Sequence, residues 1–269
     1  MKAKKSLGQH FLKSDSVLNK IADSAEIEPG EIVVEIGPGH GELTQKLLDR
    51  KAKVIAIEKD ESLVSEIESV FKEEIEKSNL KIINSDIREI KSRDIFHDQA
   101  KVDYKLVGNI PYYITGFILR SFLSSAPRPK QIVFLIQKEV AKRITSSEKE
   151  SLLSLSVKAY GDPKIKGLVK AGSFSPPPKV DSAILSIDNI TDGFQDAEEE
   201  KLFFKVIQKG FSQKRKIFAA NLSDEFDKEL IDYSFKKCGL EKMVRAEDVS
   251  LDKMKCLVIT LKKDQRFLV

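Results

Sequence analysis

Apolar residues come in short, dense runs over the first half of the chain: Ile32 to Ile36, Lys53 to Ile57, Leu80 to Ile83, Tyr104 to Val107 and Gln131 to Ile136. Near-continuous apolar runs of that length suit strands buried on both faces of a sheet. Between them the period changes. Val17, Leu18, Ile21, Ala22 and Ala25 fall at helical spacing behind Ser14 or Asp15 as N-cap, and Pro29-Gly30 ends that unit. Leu43, Leu47 and Leu48 mark a second helix, and Leu63 to Phe71 a third. Strands alternating with helices predict a parallel sheet with helices on both faces.

After Gly161-Asp162-Pro163 the alternation stops. Lys164 to Val169 and Ala183 to Ile187 read as two strands flanking Ser175-Pro176-Pro177-Pro178, a hairpin-like ending rather than another crossover. Composition shifts again near Thr191-Asp192-Gly193. Beyond it only helices are predicted: Leu202 to Phe211, Lys216 to Leu222, Leu230 to Cys238 and Leu251 to Leu261. The last is predicted despite the strand-like Cys256-Leu257-Val258-Ile259-Thr260. Two domains follow, a sheet domain over 1–190 and a helical one over 191–269 that is too small to bury much surface alone.

Composition narrows the class of protein. Of the 269 residues, 41% are hydrophobic, enough for a real core. Lys+Arg 46 against Asp+Glu 42 gives a net charge of +4, which permits nucleic-acid binding without demanding it. Distribution matters more. Met1 to Lys5 and Lys214-Arg215-Lys216 are basic, while Ala197 to Lys201 is mostly acidic. A bare run of this kind is more often a solvated face than a binding site. Cys238 and Cys256 have no CxxC spacing, so no disulfide scaffold is expected and a reducing compartment fits best. The N-terminus lacks the apolar core of a signal peptide, and no window is apolar enough to span a membrane, so a soluble cytosolic protein is expected. His10, His40 and His97 with two separate cysteines cannot build a metal cluster, and no G-x-S-x-G or triad is visible.

The strongest chemical signal is Glu35-Ile36-Gly37-Pro38-Gly39-His40-Gly41-Glu42 between the first strand and its helix. A Gly-rich turn there lets the backbone approach a ligand, which lies at the carboxyl ends of the strands. Four strands end in polar or Gly positions, at Gly37, Glu58, Asp86 and Asn109. An acid about 20 residues past the first glycine suits a ribose diol. Glu58 stands at that distance, and Asp86 can accept from an exocyclic amine such as adenine N6. Two cofactors fit, a dinucleotide or S-adenosylmethionine. Glu42 occupies the third glycine position of the dinucleotide fingerprint and would repel a pyrophosphate, which weighs against NAD.

At 107–113 the chain reads V-G-N-I-P-Y-Y, a poor strand and a poor helix interior. Asn109 offers an amide oxygen to an amino group, Pro111 stiffens the loop, and Tyr112 offers a π face to a planar base. Methylating an exocyclic amine needs this set. The conjugated nitrogen is a poor nucleophile until two acceptors, one of them the Ile110 carbonyl, turn its lone pair toward the methyl group. The rest is positioning and electrostatics. Phe174, just before three prolines, lies on a stiff loop and can meet the base from the other side; its alternative is a place at the rim of the core.

These motifs, with Lys5-Ser6-Leu7-Gly8-Gln9-His10-Phe11-Leu12, Gln137-Lys138-Glu139-Val140-Ala141, Phe174 to Ser182 and Phe211-Ser212-Gln213-Lys214-Arg215-Lys216, resemble the rRNA adenine N6-dimethyltransferases, most closely the small-subunit enzymes. The resemblance spans nearly the whole chain. It implies an α/β fold, a Rossmann-like doubly wound methyltransferase sheet with a reversed last strand and a small all-helical C-terminal domain. It implies S-adenosyl-L-methionine as cofactor, held by His10, Leu12, Gly37, Gly39, Glu58, Asp86 and Asn109. It further implies that Asn109, Ile110, Pro111 and Tyr112 orient the target adenine, with Phe174 closing over it. RNA contact then becomes the better reading of Lys214, Arg215 and Lys216. The implied reaction places two methyls on each of two neighbouring adenines near the 3′ end of small-subunit (16S) rRNA. The implied setting is an assembling 30S particle, with the enzyme a monomer and no membrane or metal involved. Related large-subunit rRNA methylases share the sheet domain; F-S-Q-K-R-K and Arg245-Ala246-Glu247 favour the small-subunit enzyme.

Overall fold

The computed structural model of the chain describes residues 10–97, 99 and 101–263. The basic Met1 to Lys5 stretch and the Lys5 to Gln9 part of the N-terminal motif lie outside the described residues. In chain order the elements begin with β1 (Phe11–Leu12), α1 (Asp15–Ser24), β2 (Ile32–Ile36), α2 (Glu42–Asp49), β3 (Lys53–Glu58), α3 (Glu61–Val70), α4 (Lys72–Glu76) and β4 (Leu80–Asn84). They continue with α5 (Ser92–Ile95), β5 (Tyr104–Asn109), α6 (Thr115–Leu123), β6 (Gln131–Gln137), α7 (Lys138–Thr145), α8 (Leu152–Lys158) and β7 (Asp162–Val169). The last are β8 (Phe174–Ser175), β9 (Ser182–Asp188), α9 (Ala197–Gly210), α10 (Phe218–Leu222), α11 (Lys228–Lys237) and α12 (Leu251–Lys263).

Two compact units divide the chain: 1–142 with 162–191, and 143–161 with 192–269. The first contains a seven-stranded sheet in the order β4-β3-β2-β5-β6-β9-β7. The five strands from β4 to β6 are parallel, while β9 runs antiparallel to both β6 and β7. This is the expected doubly wound sheet, with the predicted hairpin supplying the reversed strand. The central strands read as apolar runs because both faces are covered: Val33, Val34, Leu106, Val107 and Ile132 to Ile136 are all buried. β1 and β8 form a separate two-stranded ribbon, with Leu12 opposite Phe174, that the hydrophobic pattern does not disclose.

The second unit is helical. The acidic run at 197–201 is the first turn of α9, where three glutamates complement the helix dipole and the Asp196 carboxylate caps the Glu199 N–H at 2.8 Å. Phe203, Phe218, Leu230, Phe235, Leu257 and Leu261 make its core. The division at Thr191/Asp192 falls a residue past the expected boundary. Arg143 to Gly161, however, groups with the helical unit rather than with the sheet. The cause is a set of contacts across a long sequence gap: Glu150 N–H donates to the Glu247 carbonyl at 2.7 Å, and Tyr160 packs against Phe194 and Phe204. The expectation about cysteine is also corrected. Cys238 and Cys256 are joined by a disulfide, because the end of α11 lies against α12 with the two Cα atoms 5.9 Å apart.

Candidate active site

At the carboxyl ends of β2, β3, β4 and β5 the sheet unit holds a cavity of about 320 Å³. Parallel strands put those ends on one edge, so residues far apart in sequence meet there. The cavity is lined by His10, Leu12, Gly37, Gly39, Glu58, Asp86, Asn109, Ile110, Pro111, Tyr112 and Phe174. Sequence reasoning singled out each of these for cofactor or base. Lys214, Arg215 and Lys216 belong to the other unit.

The floor is the glycine turn. Gly37 N–H donates to the Ile57 carbonyl at 3.0 Å, tying the turn to β3. Gly39 has φ +63°, and a Cβ there would sit 3.2 Å from the Phe11 ring. Its bare backbone thus lets β1 cross above the turn, with the Phe11 ring 4.5 Å from that of His40. The strap is anchored on its far side too. Lys13 N–H donates to the Ser173 carbonyl at 2.9 Å, and the His10 Nδ1–H donates to the Pro176 carbonyl at 2.8 Å. The N-terminal segment therefore ties the Phe174 loop to the cavity.

The carboxylates differ in what they have left to offer. Glu58 is buried, which pushes its carboxyl up against the pull of three backbone N–H groups. Its Oε1 accepts from Lys59 and Asp60 at 2.8 and 2.9 Å, whereas Oε2 meets only the Gly39 N–H at 3.4 Å. Oε2 is thus open to hydroxyl donors such as a ribose diol. Asp86 is committed elsewhere. Its Oδ1 accepts from the backbone and side chain of Arg88 at 2.9 and 3.0 Å. Its Oδ2 accepts from Arg88 at 2.6 Å and Lys59 at 2.8 Å. The bidentate Arg88 fork holds its carboxyl well below the usual range. Asp86 can take an adenine amine only if Arg88 gives way. Glu42 also lines the cavity. Three carboxylates in one wall disfavour a phosphate-bearing cofactor and suit one carrying positive charge. The residues present therefore fit an adenosyl sulfonium.

Asn109 is the last residue of β5 and has its amide orientation fixed. The Nδ2–H donates to the His10 carbonyl at 3.0 Å, which leaves Oδ1 as the acceptor it can present. Gly108 allows the strand end to sit where it does, since a Cβ there would lie 2.7 Å from the Ile36 carbonyl oxygen. Ile110 N–H donates to the Leu135 carbonyl at 3.1 Å, fixing the start of the loop. Tyr112 is half-buried in a 3₁₀ turn over 112–114. Its hydroxyl pairs with Ser182 Oγ at 2.8 Å, and burial pushes the phenol up so that it stays neutral. Phe174 is buried in the apolar cluster with Leu12 and Leu18 while also facing the cavity, so it has both of the places foreseen for it.

Lys59, Arg88, Ser182 and the Pro176 carbonyl were not foreseen. Their sequence neighbourhoods offered a signal: Lys59 adjoins Glu58, Arg88 lies two residues past Asp86, and Pro176 and Ser182 fall within the Phe174 to Ser182 motif. In the helical unit, Lys214, Arg215 and Lys216 are exposed in the loop between α9 and α10. The Phe218 N–H donates to the Val244 carbonyl at 2.8 Å, which sets that loop beside the exposed Lys242 and Arg245. One basic surface thus draws on two sequence segments.

The family model described as ribosomal RNA adenine dimethylase matches residues 1–263. Ribosomal RNA small subunit methyltransferase A of Dehalococcoides mccartyi is 40% identical over 265 residues, covering 97% of this chain and 89% of that one. The enzyme of the same name from Clostridium acetobutylicum is 36% identical over 252 residues, covering 92% and 90%. A dimethyladenosine transferase from Plasmodium falciparum matches in structure with TM-score 0.76 at 26% identity, covering 94% of this chain and 98% of that one. The 23S rRNA methyltransferase ErmE matches with TM-score 0.74 at 24% identity, covering 94% and 100%, a likeness of fold.

Proposed function

The chain belongs to the ribosomal RNA adenine dimethylase family, and on that premise we propose that it transfers methyl groups from S-adenosylmethionine to N6 of two adjacent adenines near the 3′ end of small-subunit (16S) rRNA. The substrate is an assembling 30S particle in the cytoplasm, and the enzyme acts as a monomer. The observation that carries the reading is the Asn109 amide. One of its two N–H groups donates to the His10 carbonyl, which fixes the amide so that its oxygen is available as an acceptor at the carboxyl end of the central strand.

In this reading Glu58 Oε2 holds the ribose, and the Gly37 to Gly39 turn with Leu12 encloses the rest of the cofactor. The cofactor supplies a methyl group on a positively charged sulfur. Asn109 Oδ1 and the Ile110 carbonyl accept the two N–H groups of the adenine amine. That turns the nitrogen lone pair out of conjugation and toward the methyl group. Tyr112, pinned at its hydroxyl by Ser182, stacks on one face of the base, and Phe174 closes the other. No side chain needs a shifted pKa to act as base, because the amine becomes more acidic as it is alkylated and sheds its proton to solvent. Lys214, Arg215 and Lys216 hold phosphates.

Purified protein, labelled cofactor and small subunits lacking the modification test this. Dimethyladenosine on small-subunit RNA is the expected product, and Asn109→Ala lowers its rate by about 10²–10³ while the melting temperature stays put. Label confined to large-subunit RNA, or none on either subunit, overturns the function. Wild-type turnover by Asn109→Ala overturns the role of the amide.

A further inference from the structure

Tyr113 follows the base-stacking position and also lines the cavity, but it has no part in the reading above. It is 65% exposed at the rim, beside Tyr112 in the 3₁₀ turn. Phe117 lies one turn further along, on α6, and is 42% exposed, while its neighbours Ile118 and Leu119 are fully buried. Burial in the core explains neither ring. Cationic side chains surround them. Arg88 and Lys59 share the cavity wall with Tyr113 and are 50% and 51% exposed, and Arg120 is exposed three residues past Phe117. The Arg88 guanidinium, held protonated chiefly by Asp86, also feels the Tyr113 hydroxyl.

A base that enters the cavity leaves its stack, and the next base of the strand loses a stacking face. An aromatic surface at the mouth restores one, and phosphates on either side find cations there. We propose that Tyr113, extended by Phe117, is a stacking platform for the nucleobase adjoining the target adenine, with Arg88 and Lys59 meeting the phosphate between the two. The inference rests on the rRNA adenine methylation reading and deepens it: the enzyme grips a single-stranded dinucleotide rather than one extruded base. With two adjacent adenines as targets, the base waiting on the platform is the next to be modified.

Kinetics on unmodified small subunits and fluorescence titration with a short oligoadenylate separate the two ideas. Tyr113→Ala raises the KM for subunits and weakens oligoadenylate binding, each by about tenfold. Tyr113→Phe restores both, because stacking needs the ring and not the hydroxyl. Tyr113→Leu restores neither. Unchanged melting temperatures show that the exposed ring has no part in folding. The platform is overturned if Tyr113→Ala leaves both constants at wild-type values. It is overturned equally if Tyr113→Leu rescues as well as Tyr113→Phe, the mark of an apolar contact with a protein. A wild-type enzyme that transfers no methyl but binds oligoadenylate through Tyr113 defeats the methylation reading and leaves the platform standing.

Discussion

Asp86 and Asn109 are both polar strand ends, yet they stand in opposite conditions. Asn109 gives one of its two N–H donors to the His10 carbonyl and keeps its acceptor. Asp86 spends its acceptors on Arg88 and Lys59. A carboxylate oxygen accepts about two hydrogen bonds well, so an adenine amine at Asp86 must displace part of the Arg88 fork. The Arg88 side chain is 50% exposed and that of Asp86 11%, so solvent takes up the guanidinium when the fork opens. Opening it still breaks a bidentate charge-assisted pair, and that cost taxes cofactor binding. Arg88→Gln removes the competing fork, and cofactor affinity measured by calorimetry tightens by about two- to fivefold. Weaker binding would mean that Arg88 holds Asp86 in its binding pose. Glu58, by contrast, keeps Oε2 open beyond the long Gly39 contact at 3.4 Å, so the ribose role proposed for it needs no displacement.

At the scale of elements, β2 and α2 are joined by a buried pair with its own pH signature. Glu35 is fully enclosed, and desolvation pushes its carboxyl up to about 8. The Thr44 hydroxyl, donating at 2.7 Å from α2, opposes the shift, while Glu58 and Glu42 add to it. The folded state thus keeps a proton that the unfolded chain releases near pH 4.5. The native state binds more protons throughout that window, so this group's contribution is full below pH 4.5 and is lost as pH rises toward 8. Glu35→Gln cannot ionise. Denaturant melts should show its stability gaining on wild type as pH goes from 5 to 8, by at most about 1.4 kcal/mol per unit. A pH-independent difference would mean that Glu35 is already ionised. Elements of this kind were legible in the sequence because a strand buried on both faces has little choice but apolar residues. The paired residues of β1 and β8, the grouping of α8 with the helical unit and the Cys238–Cys256 link were not. Each depends on contacts across a long sequence gap, for which no local period exists. The cavity lining was legible for a related reason. A parallel sheet gathers its strand ends at one edge, so an ordered list of polar ends is already a list of neighbours.

At the scale of the whole molecule, a net charge of +4 spread over 46 cations and 42 anions predicts little about RNA affinity. What counts is where cations lack acidic partners. Lys205, Lys209 and Lys262 are paired with Glu225 and Asp196. Lys214, Arg215 and Lys216 are exposed in a loop, next to a second basic segment held by the Phe218–Val244 backbone bond. Glu247 lies near this surface: Lys149, bonded at 2.6 Å, chiefly holds its carboxyl low, with smaller help from Lys214 and Arg245. If the run meets phosphates, each lost contact removes about 0.7–0.9 from the slope of log affinity against log salt. Replacing Lys214, Arg215 and Lys216 together by Gln should flatten that slope by about 2–3 for small-subunit RNA and weaken binding most at low salt. The cavity proposed for the cofactor is lined by the sheet unit alone, so cofactor affinity in the same protein should stay at its wild-type value. A slope unchanged by the triple substitution would return the run to a solvated face, and RNA affinity would then have to come from the cations at the mouth of the cavity.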